Sequence, residues 1–427
     1  MDKQERERII RLVKNQVVPA VGCTEPVAVA LCVAKASETL GVLPEQIDVK
    51  LSANILKNAM GVGIPGTGMI GLPIAIALGA SIGKSEYQLE VLKDVNSEAV
   101  EAGKRYIAEN RIKIGLKAGE CDKLYVEVLV KAGTDTARAI ISGGHTRFSL
   151  LEKNGQVLFE KNASAEGGQQ ECRCEELDFH MVYEFATTAP LEEIEFINEA
   201  RVLNENAAAQ ALKGCYGHEL GKTLSRPLGK GIMGESIFSH IISTTASACD
   251  ARMAGAAIPV MSNSGSGNQG ICATLPVVVF GKENHNTEEE LTRALMLSHL
   301  TAIYMKQSLG VLSALCGCVV ASTGSSVGIT YLMGGDYEQL CASVKNMVAN
   351  LTGMICDGAK PSCALKLASG VSTAVLSSLL AIQKKCVTNV EGIIDEDVDK
   401  SIHNLTRIGH DAMDETDRCV LEIMTNK

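Results

Sequence analysis

The sequence predicts an α+β protein: an amino-terminal half that combines an antiparallel β-sheet with helices, then a half that is a helical bundle. Three observations carry this. Residues 123–160 fall into short alternating runs, LYVEVLVKA, TARAIISGG, TRFSLLEK and QVLFEKN, and Lys153-Asn154-Gly155-Gln156 marks a hairpin turn. From Pro190 onward helical periodicity dominates, as in LEEIEFINEARVLNENAAAQALKG. At 427 residues the chain exceeds what one core usually organises, so two lobes are expected, residues 1–185 and 186–427, with a cavity shared between them.

The elements follow in order. Residues 4–18 place Ile9, Ile10, Leu12, Val13 and Val17 on one helical face. A second helix is expected to open at GCTEP, with Thr24 as N-cap, Glu25 at the positive end of the dipole and Pro26 in the first turn. It stops at Gly41. A strand follows over Ile47–Ala53, then the glycine-rich NAMGVGIPGTGMIGLP, an apolar helix, and a charged helix from about Tyr87 to Glu109. Residues 161–176 read as a mobile polar connection before the helical half.

Composition narrows the classes of function. Hydrophobic residues make up 46% of the chain, charged residues 21% and aromatics 4%, with no Trp and 40 Gly. Small aliphatic residues must therefore fill the core. A formal charge of −10 without any long Lys/Arg run argues against a nucleic-acid partner. The first residues, MDKQERERIIRLVKNQ, lack a secretory apolar region, which points to the cytoplasm. Residues 60–83, 253–281 and 307–335 are uncharged and long enough to span a bilayer. Gly, Pro, Ser, Thr and Asn interrupt them and no flanking Lys/Arg asymmetry is present, so they read as backbone buried around a substrate cavity, not as membrane spans. Self-association into a homo-oligomer stays open.

Fifteen cysteines in a reducing compartment are core hydrophobes, metal ligands or activated thiols before they are disulfides. Cys32, Cys121, Cys215, Cys249, Cys341, Cys386 and Cys419 carry no pattern beyond burial or exposure. Cys172 and Cys174 form a C-x-C with no second pair to complete a zinc site. Cys356 and Cys363 differ, because Gly358, Pro361 and Ser362 break the helix between them and let both thiols face one centre. Cys316 lies forty residues upstream of Cys356, in LSALCGCVVASTGSS. With no fourth Cys or His at zinc-like spacing, three thiolates and an open position are the more natural pattern. It suits a cubane cluster with one iron free for substrate. Cys272 and Cys318 read as neighbours of that group. Cys23 precedes a helix start, where the dipole favours a thiolate, although a buried cysteine at a helix start is the plainer alternative.

Two polar loops and one histidine complete the candidates. Residues 262–270, SNSGSGNQG, can form an anion-binding nest for a carboxylate, with Asn263, Ser264, Asn268 and Gln269 as donors. The glycine-rich loop 61–71 follows Lys57 and Asn58 and matches neither a P-loop nor G-x-G-x-x-G. Lys57 is either a Schiff-base lysine for pyridoxal phosphate or an exposed lysine. His145, after a strand in ISGGHTRF, is either a general acid–base or a turn histidine. His240, His299, His403 and His410 read as surface or satisfied positions on helices.

Six blocks occur in order: GCTEP at 22–26, NILKNAMGVGIPGTG at 54–68, ISGGHT at 141–146, SNSGSGNQG at 262–270, LSALC at 312–316 and MICDGAKPSC at 354–363. Together they resemble the L-cysteine desulfidase family, oxygen-sensitive lyases related to the alpha chain of iron–sulfur L-serine dehydratases. The resemblance runs from about residue 15 to the C-terminus. It implies a [4Fe–4S] cluster held by Cys316, Cys356 and Cys363, a small amino-acid substrate, and Cys23 as the reactive thiol. In the implied β-elimination the cluster takes the substrate sulfur, and Cys23 or, in reserve, His145 removes the α-proton. The 262–270 loop holds the carboxylate, Lys57 and Asn58 complete the pocket, and pyruvate, ammonia and hydrogen sulfide result. The chain departs from the serine dehydratases in the closer spacing of Cys356 and Cys363 and in ending MTNK without a tail cysteine, so tail autoinhibition is not expected. The rival readings are a serine dehydratase using the same cluster, a pyridoxal-phosphate lyase, a non-catalytic amino-acid-binding protein and a membrane transporter.

Overall fold

The computed structural model describes residues 1–161, 177–310 and 313–426. The polar connection, with Cys172 and Cys174, lies outside the described residues except for its first position.

Helix α1 (Lys3–Gln16) begins at a capping box between Asp2 and Glu5 and buries Ile9 and Val13. Strand β1 (Pro19–Val21) leads into α2 (Thr24–Leu40), whose N-cap is Cys23, one residue before the expected Thr24. α2 is apolar on nearly every face because it is enclosed, by α4 (Leu72–Ser81) on one side and a sheet on the other. That sheet contains β2 (Gln46–Leu51), β3 (Ile112–Leu116), β4 (Tyr125–Ala132), β5 (Asp135–Ser142), β6 (Phe148–Lys153) and β7 (Gln156–Glu160) in the order β3-β2-β4-β5-β6-β7. Register pairs Val126 with Ile141 and Val128 with Ala139, so alternate residues of β4 and β5 are buried. The β6–β7 turn falls at Asn154 and Gly155, as the hairpin pattern predicts.

Three local expectations change. β3 pairs in parallel with β2, so the sheet is mixed. The strand expected to reach Ala53 stops at Leu51, because Ser52 caps a new helix, α3 (Ala53–Ala59), by accepting from the Ile55 amide. The charged helix begins only at α5 (Ser97–Ala108), after a 3₁₀ segment at Ser85–Glu90.

The carboxy-terminal half is helical. It opens with α6 (Phe179–Thr188), α7 (Leu191–Ile194), α8 (Asn198–Lys213), α9 (Leu220–Ser225) and α10 (Pro227–Met233). Then come α11 (Ile237–Met253), strand β8 (Pro259–Met261), α12 (Gly267–Glu283), α13 (Glu288–Leu309) and α14 (Gly317–Leu332). The chain ends with α15 (Tyr337–Leu351), α16 (Cys363–Ile382), α17 (Val398–Asp411) and α18 (Asp414–Thr425).

Two hydrophobic cores result, one under the sheet and one among the carboxy-terminal helices. Each recruits from the other half: Ile9 and Val13 of α1 join the helical core, and Leu421 of α18 joins the core under the sheet. Among the described residues one helix, α16, is long and apolar enough to cross a membrane, and 50% of its apolar window is buried within the fold. None of the three uncharged stretches contains it.

Candidate active site

The first contact that assembles the site is a three-residue strand pair. β1 runs antiparallel to β8, with Pro19 opposite Met261, so the GCTEP turn lies beside the 262–270 loop. The loop is fastened further by Ser262 N–H to the Val18 carbonyl and Ser264 N–H to the Gln16 carbonyl, both at 2.9 Å. Ser266 then caps α12.

Arg252, at the end of α11, ties these segments together from beneath. Its guanidinium donates to the Gly22 carbonyl at 2.9 Å and to the Asn268 amide oxygen at 3.1 Å, and the side chain is 5% exposed. Asn268 also accepts from the Cys249 thiol at 3.6 Å. Asn263 is committed as well: its amide nitrogen lies 3.1 Å from both the ring Nδ1 and the carbonyl of His299. Asn263 and Asn268 therefore brace the loop: the Asn263 amide nitrogen is taken by His299, whereas the Asn268 oxygen is taken by Arg252 and Cys249 and its amide nitrogen faces the Met253 sulfur at 3.3 Å. Ser264 is half-buried, and the Gln269 side-chain oxygen is buried without a hydrogen-bond partner among the described residues.

The cysteines arrive from two further helix starts. Cys316 caps α14 and Cys363 is the first residue of α16. Gly317 packs against Gln269 so closely that an added Cβ would lie 2.9 Å from the Gln269 amide carbon, which puts Cys316 next to the loop. Opposite it, the Cys356 segment pairs as a short bridge: Cys316 N–H reaches the Met354 carbonyl at 2.9 Å and Cys356 N–H the Ala314 carbonyl at 2.6 Å. This bridge brings the Cys316 and Cys356 side chains together. The Cys316 thiol, with Lys57, the Gly358 amide and Lys366 nearby, pulls Cys356 below the usual thiol range despite burial. Cys316 is correspondingly pushed up.

Lys57 is 2% exposed, in contrast to the exposed-lysine reading. Its ammonium pairs with Asp417 of α18 and lies 3.4 Å from the Cys356 carbonyl, so it is not a free amine for a Schiff base. Asn58 is half-buried beside it on α3. Gly358, at φ +89°, sits against the Lys57 backbone, where an added Cβ would fall 2.2 Å from the Lys57 carbonyl oxygen. Asp357 binds both Lys360 and Lys366, which pins the loop that carries Cys356. The Lys306 amine faces the same thiols: burial lowers it to about 8, against the pull of Cys356 and Cys316.

Cys23 behaves differently from the thiolate expected at a helix start. It is 5% exposed, and its thiol donates to Glu25 Oε2 at 3.0 Å. Burial and the Glu25 charge, opposed by Arg252, push this thiol well up. His145 stands near enough to Glu25 for that charge to act on it, and its Nε2 is buried without a partner among the described residues. Burial lowers the His145 pKa, and the Glu25 charge works against that.

Among the described residues no three His, Cys, Asp or Glu side chains are gathered tightly enough for one metal ion. Cys316, Cys356 and Cys363 are instead free thiols on separate segments, with Lys57, Lys306 and Lys366 about them. Soft thiols amid cationic side chains suit the chemistry of an iron–sulfur group, whose ligands are anionic thiolates. Cys318 and Cys272 are free, buried thiols, and the Cys318 thiol donates to the Lys366 carbonyl at 3.2 Å. The open surface hollow that includes Ile10, Lys14 and Phe196 is lined by none of these residues.

Sequence reasoning missed Cys249, Arg252, Lys306 and Lys366. One signal was present: Asp250 and Arg252 are the sole Asp, Glu, Lys or Arg residues between positions 236 and 281. A charge inside so apolar a stretch needs a buried partner.

The family described as serine dehydratase alpha chain matches residues 86–422, which include Cys249, Cys316, Cys356 and Cys363 but not Cys23. The chain is 65% identical over 427 residues to a UPF0597 protein of Bacteroides thetaiotaomicron, covering 100% of this chain and 99% of the relative. It is 66% identical to a UPF0597 protein of Bacteroides fragilis, with 100% of both covered. A UPF0597 protein of Shewanella halifaxensis is 44% identical, with 98% of each chain covered.

Proposed function

We propose, because the chain belongs to the serine dehydratase alpha chain family, that it is a lyase releasing hydrogen sulfide from L-cysteine, with a [4Fe–4S] cluster on Cys316, Cys356 and Cys363. One observation carries this reading: a short backbone bridge brings Cys316 and Cys356 together, with Lys57 and Lys366 beside them, next to a loop braced at a helix start. When bound, the cluster supplies a thiophilic Lewis acid for the departing sulfur.

The rest is the work of the chain's own residues. The α12 start, with Ser264 and Gln269, orients the substrate carboxylate and ammonium, while Asn263 and Asn268 keep the loop in shape. Lys57 and Asn58 support the Cys356 loop from below. The α-proton leaves toward the corner made by Cys23, Glu25 and His145. Elimination gives aminoacrylate, which hydrolyses to pyruvate and ammonia. The reducing cytoplasm is the compartment that suits an oxygen-sensitive cluster.

Dehydration of L-serine is the second reading, favoured by the name of the matching family. Anaerobically reconstituted protein should form pyruvate and sulfide in equal amounts from L-cysteine, and turn over L-serine more slowly. Faster pyruvate formation from L-serine would make it a dehydratase. Binding of either amino acid with no pyruvate would make it a binding protein.

A further inference from the structure

We propose that Glu25 is the catalytic base that accepts the α-proton, and that Cys23 is the positioning thiol that fixes its carboxylate. This assignment rests on the lyase reading above.

Both local donors fall on one carboxylate oxygen. The Cys23 thiol reaches Glu25 Oε2 at 3.0 Å and the Thr24 hydroxyl reaches the same oxygen at 3.3 Å. Oε1 has no hydrogen-bond partner among the described residues. Exposure separates the two candidates as well: Glu25 is half-buried, whereas Cys23 is 5% exposed. A thiol that is donating its proton cannot accept another, so between Cys23 and Glu25 the base is the carboxylate. Arg252 sets that base against the substrate loop, since one guanidinium binds both Gly22, just before Cys23, and Asn268. His145 stands near enough to this carboxylate to feel its charge, with its Nε2 buried and without a partner among the described residues.

The step balances without a further reactant. The Cα–H bond breaks, its proton passes to Glu25 Oε1, and its electron pair becomes the Cα–Cβ π bond. The Cβ–S bond breaks with its pair on sulfur, which leaves as hydrosulfide. Glu25 then returns its proton to solvent.

The test compares Glu25→Gln and Glu25→Asp with wild type in two readouts on the same anaerobic preparations. One is pyruvate formation. The other is the rate of iodoacetamide modification of the Cys23 peptide, followed by mass spectrometry. Glu25→Gln should reduce turnover by about 100-fold or more, the usual share of a general base. Removal of the Glu25 charge should at the same time make Cys23 react faster, since that charge opposes the thiolate. Glu25→Asp should recover part of the turnover. A Glu25→Gln protein that keeps its turnover overturns the proposal, as does one that loses turnover while Cys23 reacts no faster than in wild type. A wild type inert toward both L-cysteine and L-serine sinks the lyase reading, and this assignment with it.

Discussion

Cys23 and Cys356 both belong to the chemistry read from the sequence, yet their surroundings drive their thiols in opposite directions. Cys23 is buried beside a carboxylate, which outweighs the helix dipole that the GCTEP pattern invites one to expect. Cys356 meets Cys316 across a short backbone bridge and lies near Lys57, a partner 299 residues away in the chain. The spacing of cysteines was therefore legible, but the charge beside each was not, because it comes from tertiary contacts. His299 makes the same point with a measurable consequence. It is fully buried between Asn263 and Thr274, and burial lowers it to about 3. Its folded value is depressed, so the stability it contributes is whole above about 6.5 and is lost as pH falls toward 3, where only the unfolded chain takes up a proton. Thermal denaturation should show a loss of roughly 2 kcal/mol from this group between about pH 6.5 and 5. His299→Gln should flatten that slope. An unchanged slope would mean that the ring is not held neutral.

Elements with a strong period were legible: α1, α2, the β4–β7 meander and the helices after Pro190. β1 and β8 were not, since three residues show no period, although their pairing brings Cys23 to the substrate loop. β3 was missed because its strand, IKIGL, is half exposed and follows a charged helix. The Cys356–Cys363 turn belongs to this scale too. Its glycines and proline announced a break, and the structure adds that Gly358 lies against the Lys57 backbone at positive φ. Gly358→Ala should therefore cost about 1–3 kcal/mol from backbone strain alone, with a further loss from the clash. Chemical denaturation measures it. The same variant should bind iron less well than wild type, because the turn that presents Cys356 and Cys363 can no longer close on Lys57.

Across the whole molecule, the two cores are stitched by segments that return from the opposite end of the chain. α18 places Leu421 in the core under the sheet and Asp417 against buried Lys57. No local pattern in the last residues foretells this, because the partner is α3. Asp417→Ala leaves a buried ammonium unpaired directly beneath the Cys356 loop. It should lower unfolding stability by on the order of 3 kcal/mol. A change near zero would mean that Lys57 finds water or another partner.

The proposed lyase chemistry depends on Cys316, Cys356 and Cys363 together holding an iron–sulfur cluster. Iron and acid-labile sulfide analysis of anaerobically reconstituted protein tests it most directly. Wild type should hold roughly four of each per chain. Cys316→Ser, Cys356→Ser and Cys363→Ser should each lose nearly all of both, since a serine hydroxyl is a poor ligand for iron. Cys23→Ser and Cys249→Ser should keep them. Wild-type protein that takes up no iron, or serine variants at the three positions that retain it, would contradict the claim.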